Sequence, residues 1–138
     1  MRFTISTDKS KLDIPMIHSF LSRESYWAKG RSLQTVNRAV ENSLCFGVYS
    51  ESGKQVGFAR VVSDFAVFAW ILDLFILPAY RGSGLGKNLM QEIMDHPDLQ
   101  SLQRWGLNTV DAQGLYRQFG FQSLKNPQFA MEIVKQPR

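Results

Sequence analysis

The sequence predicts a mixed α/β domain, helices flanking a sheet, and three observations predict it. Apolar residues recur at helical spacing in four stretches, and between them fall short runs rich in β-branched and aromatic residues. The longest such run leads straight into a glycine-rich turn and a further amphipathic stretch, "LDLFILPAYRGSGLGKNLM". With 138 residues there is room for one core, so residues 1–138 are read as a single domain.

The elements follow in order. "FTIS" is a short opening strand, and Asp13 caps a first helix with Pro15 in its first turn and Ile14, Ile17 and Leu21 on one face. "SRESYWAKGRS" is a loop. Ser32 caps a second helix whose inward stripe is Leu33, Val36 and Val40. The strands "LCFGVYS" and "QVGFARVV" flank a hairpin turn centred on Ser52-Gly53. "AVFAWILDLFIL" is a strand apolar on both faces, hence central, and Pro78 closes it. The helix after the glycine turn puts Leu85, Leu89, Ile93 and Met94 inward and ends at Pro97. "SLQRWGLNT" is a further strand. Asp111 caps a short helix with Ala112, Leu115, Tyr116 and Phe119 on one face, Gly120 ends it, and "FAMEIV" is a last strand.

Composition excludes several classes. An apolar share of 44% is too rich for disorder, and no apolar run reaches the roughly eighteen residues of a membrane span. Asp73 interrupts the longest one. The N-terminus lacks the apolar stretch and cleavage site of a secretory signal, and the lone Cys45 has no disulfide partner and sits in a strand. Together these point to the cytoplasm. The net charge of +4 is scattered, without a basic block or helix face, which speaks against nucleic acid. His18 and His96 have no ligand-spaced companions, so no metal site is expected.

The turn "YRGSGLGKN" is the chemical feature. A phosphate-binding loop of the G-x-x-x-x-G-K-[ST] kind fails twice, because Arg81 stands at the first glycine and Asn88 at the hydroxyl. The dinucleotide fingerprint fails because Gly82, Gly84 and Gly86 are spaced G-x-G-x-G. Strand, glycine turn and helix start nevertheless offer free N–H groups and the positive end of a helix dipole to an anion. Arg81 and Lys87 add charge.

"DLFILPAYRGSGLGKNLM" closely resembles the coenzyme A-binding motif of the GNAT superfamily of N-acetyltransferases, Gln/Arg-x-x-Gly-x-Gly/Ala, matched at Arg81, Gly84 and Gly86. "DAQGLYRQFGF" resembles the family's segment A-x-x-L-Y-x-x-x-G-F, and the two motifs stand in family order. The resemblance covers nearly the whole chain and is that of a small stand-alone bacterial-type member. It implies the GNAT fold, with a central, mostly antiparallel sheet flanked by helices.

It also implies a site. The pantetheine of acetyl-coenzyme A would run beside the central strand at Phe75, Ile76 and Leu77, with the pyrophosphate over Arg81, Gly82, Ser83, Gly84, Leu85, Gly86 and Lys87. Tyr116 matches the family tyrosine that often protonates the departing thiolate. It also lies on an apolar stripe, where its hydroxyl needs either that role or a core carbonyl. Asp73, the one charge in the central run, matches a carboxylate that deprotonates the amine in some members; bonding to backbone at a strand bulge, or recognition of an ammonium, is the other reading. Glu132 is a rival base, expected to be exposed. The oxyanion donor would be a strand N–H near Phe75. Asp111 stands where the family often has Asn, and Arg117 either meets a phosphate or is solvated. The loop with Tyr26 and Trp27 borders the acceptor site in this fold; the two aromatics either line a pocket or cap the core.

The function implied is direct transfer of acetyl from acetyl-coenzyme A to a primary amine of a small molecule, amino acid or peptide. The alternative is a non-catalytic acyl-coenzyme A sensor that keeps the cradle without turnover. The fold often forms homodimers; no sequence feature fixes the oligomer.

Overall fold

A computed structural model describes residues 2–135. Its core is a five-stranded sheet in the order β1 (Phe3–Ser6), β2 (Leu44–Ser50), β3 (Gln55–Ser63), β4 (Phe68–Ile76), β5 (Arg104–Gly106). The first four strands run antiparallel to their neighbours, and β5 runs parallel to β4. The helices are α1 (Ile14–Ser19), α2 (Leu33–Glu41), α3 (Leu85–Asp95) and α4 (Gln113–Arg117).

Local chemistry explains most boundaries. The Asp13 carboxylate accepts the Met16 N–H at 3.1 Å and Pro15 fills the first turn of α1. Ser32 Oγ accepts the Thr35 N–H at 3.1 Å to start α2. Gly53, at φ 88°, turns the β2–β3 hairpin. The sheet is buried on both sides. Val36 and Val40 of α2 join Ile17, Leu21, Phe58 and Phe75 in one cluster, while Leu89, Met90 and Ile93 of α3 pack with Val48, Val61 and Ile71 in another.

Several elements depart from the sequence expectation. Leu33 is exposed, so the apolar stripe of α2 begins a turn later at Val36. Residues Phe20–Glu24 continue α1 as one wide turn, shortening the loop. The "SLQRWGLNT" strand is confined to Arg104–Gly106. Asp111 does not cap α4: Ala112 is the cap residue, and its N–H goes to Thr109 Oγ1 at 3.1 Å. The final strand expected at Phe129–Val134 does not form. That segment has a strand's apolar alternation, but it pairs with no sheet edge among the described residues and stays exposed.

Candidate active site

The site grows from a defect in the sheet. On its far side, β4 is paired with β5 only over Phe68–Trp70, opposite Arg104–Gly106. The two strands part beyond Gly106, which must be glycine because the Trp70 indole occupies the space a Cβ would take. A cavity of about 390 Å³ opens in the gap. Its walls are β4 from Trp70 to Leu74, the segment Leu107–Ala112, Leu115 and Tyr116 of α4, and the loop residues Tyr26, Trp27 and Arg31.

On its near side β4 carries a bulge. Phe58 faces Phe75 and Arg60 faces Leu72, so Asp73 and Leu74 together oppose the single Ala59. Asp73 takes up the extra residue with φ 55°, a conformation aspartate tolerates better than most side chains. Its carboxylate is buried and fully engaged. Oδ2 accepts from Arg31 Nη1 at 2.8 Å and from Arg60 Nε at 2.6 Å, and Oδ1 accepts from Trp27 Nε1 at 2.8 Å. The side chain is 2% exposed, so a lone carboxylate there would be costly; two guanidiniums and an indole offset that cost.

The same network places the loop. Trp27 and Arg31 tie it to the bulge, His18 Nε2 meets the Arg31 carbonyl at 3.0 Å, and Tyr26 Oη accepts the Val110 N–H at 3.1 Å from across the cavity. Tyr26 and Trp27 meet edge to face at 5.0 Å, half exposed. They line the cavity rather than cap the core.

Tyr116 is a buried side chain, and its hydroxyl has no hydrogen-bond partner among the described residues; unlike Tyr49 Oη, which is fully buried without a partner, it keeps contact with the cavity. Burial, with smaller contributions from Tyr26 and Asp111, pushes the phenol up to about 12. It borders both the β4–β5 cavity and a second one of about 580 Å³ on the outer side of β5. Asp111 and Arg117 are exposed, the first lining the inner cavity and the second the outer.

The glycine turn lies beyond the end of β4. Gly82 and Gly84 have φ of 88° and 84°, with open space where side chains would project. Gly84 starts α3 without any side-chain cap, and the first helical bond is Asn88 N–H to the Gly84 carbonyl. The N–H groups of Leu85, Gly86 and Lys87 therefore have no acceptor among the described residues. Ser83 Oγ bonds to the Tyr80 carbonyl at 3.3 Å. Arg81 does more than add charge: its Nε donates to the Ile76 carbonyl at 2.8 Å and pins the turn to β4. Of the strand segment 75–77, that carbonyl and the Leu77 N–H, bonded to the Val56 carbonyl at 2.8 Å, are thus engaged. Phe75 turns its ring away to stack on Phe20.

Sequence reasoning missed Arg31 and Arg60. Each lies far along the chain from Asp73, and no local pattern links them. Glu132 lines the outer cavity, on the other side of β5 from Asp73. Among the described residues no group of three His, Cys, Asp or Glu is placed to hold a metal ion, and no helix is long and apolar enough to cross a membrane.

A strand gap, a bulge and an uncapped glycine turn at a helix start together form an open cleft on an α/β sheet, and comparison with known proteins gives the chain a family. The model of the GNAT acetyltransferase domain matches residues 41–123. A crystal structure of a GNAT-family protein from Xanthomonas campestris pv. campestris is 49% identical, with TM-score 0.95 over 98% of this chain and 94% of that one. An uncharacterized N-acetyltransferase of Pyropia yezoensis is 31% identical over 81% of this chain. An acetyltransferase-like protein of Gibberella zeae is 27% identical over 75% of it. The chain spans 66% of the length of each of these two. A Mycobacterium tuberculosis protein solved with CoA shares the fold at 18% identity and TM-score 0.72, over 88% of this chain and 73% of that one. The chain belongs to the GNAT acetyltransferase family.

Proposed function

We propose that the chain transfers acetyl from acetyl-coenzyme A to a primary amine, without a covalent enzyme intermediate. The observation that carries this reading is Tyr116, a buried side chain that lines the gap where β4 and β5 part and whose hydroxyl has no hydrogen-bond partner among the described residues.

The residues present fit the coenzyme. Open glycines at Gly82 and Gly84 and the free N–H groups of Leu85, Gly86 and Lys87 suit a pyrophosphate, and the gap beside β4 suits a narrow arm. When bound, the thioester supplies an activated acetyl group. Arg81 holds the turn in register with β4, and Lys87 adds positive charge nearby. Tyr116 keeps its proton at neutral pH and can donate it to the departing thiolate. Beyond Trp70 β4 has no β5 partner, which leaves N–H groups on that side of the strand free to face a developing oxyanion.

Asp73 enters this proposal as an anchor. To take a proton from an amine its carboxylate would have to give up Arg31, Arg60 or Trp27. The acceptor must then reach the site as the neutral amine, a small fraction at neutral pH given an amine pKa of roughly 10. The acceptor would enter past Tyr26 and Trp27, whose faces suit an amine on a compact, partly apolar molecule.

The occupied Asp73 is also the observation that favours the alternative, a non-catalytic acyl-coenzyme A module. Turnover decides between them. Wild type and Tyr116→Phe are incubated with acetyl-coenzyme A and a panel of primary amines, and thiol release is followed. Release that depends on both an amine and Tyr116 supports transfer; tight binding of acetyl-coenzyme A with no release for any amine supports the sensor.

A further inference from the structure

Arg31 is a cation with free donors. Among the described residues only Nη1 of its guanidinium has a partner, Asp73 Oδ2 at 2.8 Å, and Nε and Nη2 have none. The side chain is 22% exposed and lines the cavity of about 390 Å³ beside β4. Arg60 is placed differently. It gives Nε to the same Asp73 oxygen at 2.6 Å and Nη1 to Ser43 Oγ at 3.3 Å, is 13% exposed, and lies outside that cavity's lining. One carboxylate thus faces two guanidiniums, which leaves one positive charge in excess. With Arg60 holding Asp73 from the β3 side, that charge and the free donors fall to the residue at the cavity wall. A half-buried guanidinium with open donors is an unfavourable arrangement until an anion takes them.

Arg31 is the one cation among the described residues that line the cavity. Besides the engaged Asp73, the other charge there is the exposed Asp111, on the Leu107–Ala112 wall that Tyr26 reaches from across the cavity. The remaining lining is largely apolar, with Trp70, Ile71 and Leu74 supplied by β4. A positive group on one wall and a negative group on the facing wall form the complement of a zwitterion.

We propose that the acceptor is an α-amino acid held by its carboxylate on Arg31, an inference that rests on reading this cavity as the acceptor side of an acetyltransferase. Nε and Nη2, the pair that Asp73 leaves free, lie side by side on one edge of the guanidinium and match the two oxygens of a carboxylate. The cavity must also admit the acetyl end of the coenzyme, so the acceptor is small and its amine stands close to its carboxylate. Tyr116 lines the same space. The amine nitrogen takes the acetyl carbon from the coenzyme's sulfur, and the amine's proton is balanced by one gained at that sulfur as free thiol. Asp73 then has a second use: it sets the guanidinium with its open edge toward the ligand.

Thiol release tests this with wild type, acetyl-coenzyme A and leucine, methionine or phenylalanine. Each is run beside its decarboxylated amine and its amide, with putrescine as a dication. The decarboxylated amine is at least as basic as the amino acid and the amide is less basic, so an advantage over both does not come from amine ionisation. For at least one amino acid kcat/KM should exceed that of both counterparts about tenfold or more. A counterpart or putrescine used as well or better overturns the proposal and leaves acetyl transfer itself standing. Arg31→Lys keeps a cation for Asp73 and loses the fork, so it should cut the ratio to about threefold or less, through KM for the amino acid. The ratio does not depend on how much of the variant folds, and an unchanged ratio overturns the assignment to Arg31. Thiol release with no acceptor at all would sink the transfer reading, and calorimetry then decides the carboxylate site by itself. N-acetyl-leucine titrated into the protein with coenzyme A should bind about tenfold tighter than its amide. Equal affinity, or no binding, overturns the proposal.

Discussion

Trp27 Nε1 donates to Asp73 Oδ1 at 2.8 Å, joining the loop between α1 and α2 to the bulge in β4 across forty-six positions of sequence. Arg31, four residues along the same loop, holds the other oxygen at 2.8 Å. One carboxylate therefore fixes the wall of the cleft against its floor.

Replacing that carboxylate should act first on stability. Asp73→Asn leaves the Arg31 and Arg60 guanidiniums without their counter-charge in a buried setting, a change that costs roughly 3 kcal/mol. Urea unfolding measures it. If Asp73 anchors the loop, the variant should raise KM for the amine and leave the shape of the pH–rate profile unchanged. Disappearance of an ionisation from that profile would restore Asp73 as the base.

Tyr116→Phe keeps the ring and removes only the hydroxyl. Among the described residues that hydroxyl bonds to nothing, so the substitution should be nearly neutral in thermal unfolding. Turnover should fall about a hundredfold or more, the usual worth of a general acid, with acetyl-coenzyme A affinity unchanged. Single-turnover kinetics beside a binding titration separates the two effects.

The pH dependence follows from the same residue. A phenol raised from 10 to about 12 in the fold is protonated in both folded and unfolded chains below about pH 10, so it adds no pH dependence there. Between about 10 and 12 the unfolded chain releases the proton first, and the stabilising contribution is lost as pH rises through the folded value. In kinetics the rate should climb with amine deprotonation from neutral pH to about 10, without a falling limb from Tyr116 in that range. A rate profile from pH 6 to 10 checks this; a loss of rate with an apparent pKa near 9 would contradict it.

Gly106 should tolerate no side chain. The Cβ of Gly106→Ala would collide with the Trp70 ring, overpacking the point where β4 and β5 separate. A loss of about 1–3 kcal/mol is expected in denaturant unfolding, with the cleft disturbed as Trp70 moves. Gly82→Ala meets only backbone strain, since open space surrounds it, and should cost about 1 kcal/mol.

What the sequence revealed of all this was what short-range chemistry controls. Asp13 and Ser32 sit beside the helices they cap, and the glycine turn announces itself in nine residues. The burial of Tyr116 was legible from its position on a helical stripe. The surroundings of Asp73 were not, because Arg60 comes from the neighbouring strand and Arg31 from a loop, and only the strand pairing brings them together. The segment Phe129–Val134 misled for a related reason. Alternation reports a face that wants burial, but a strand also needs a free edge within reach, and no local pattern encodes that.

The central claim is that the glycine turn cradles the pyrophosphate of acetyl-coenzyme A, and calorimetric titration of acetyl-coenzyme A into the wild type and Gly84→Glu tests it most directly. The substitution puts a side chain and a negative charge into the open space beside the free N–H groups of α3, at a backbone φ of 84°. Micromolar binding by the wild type, abolished in a variant that still folds, is the result expected. No binding by the wild type, or equal binding by both, would contradict the account and leave the glycines as a bend between strand and helix.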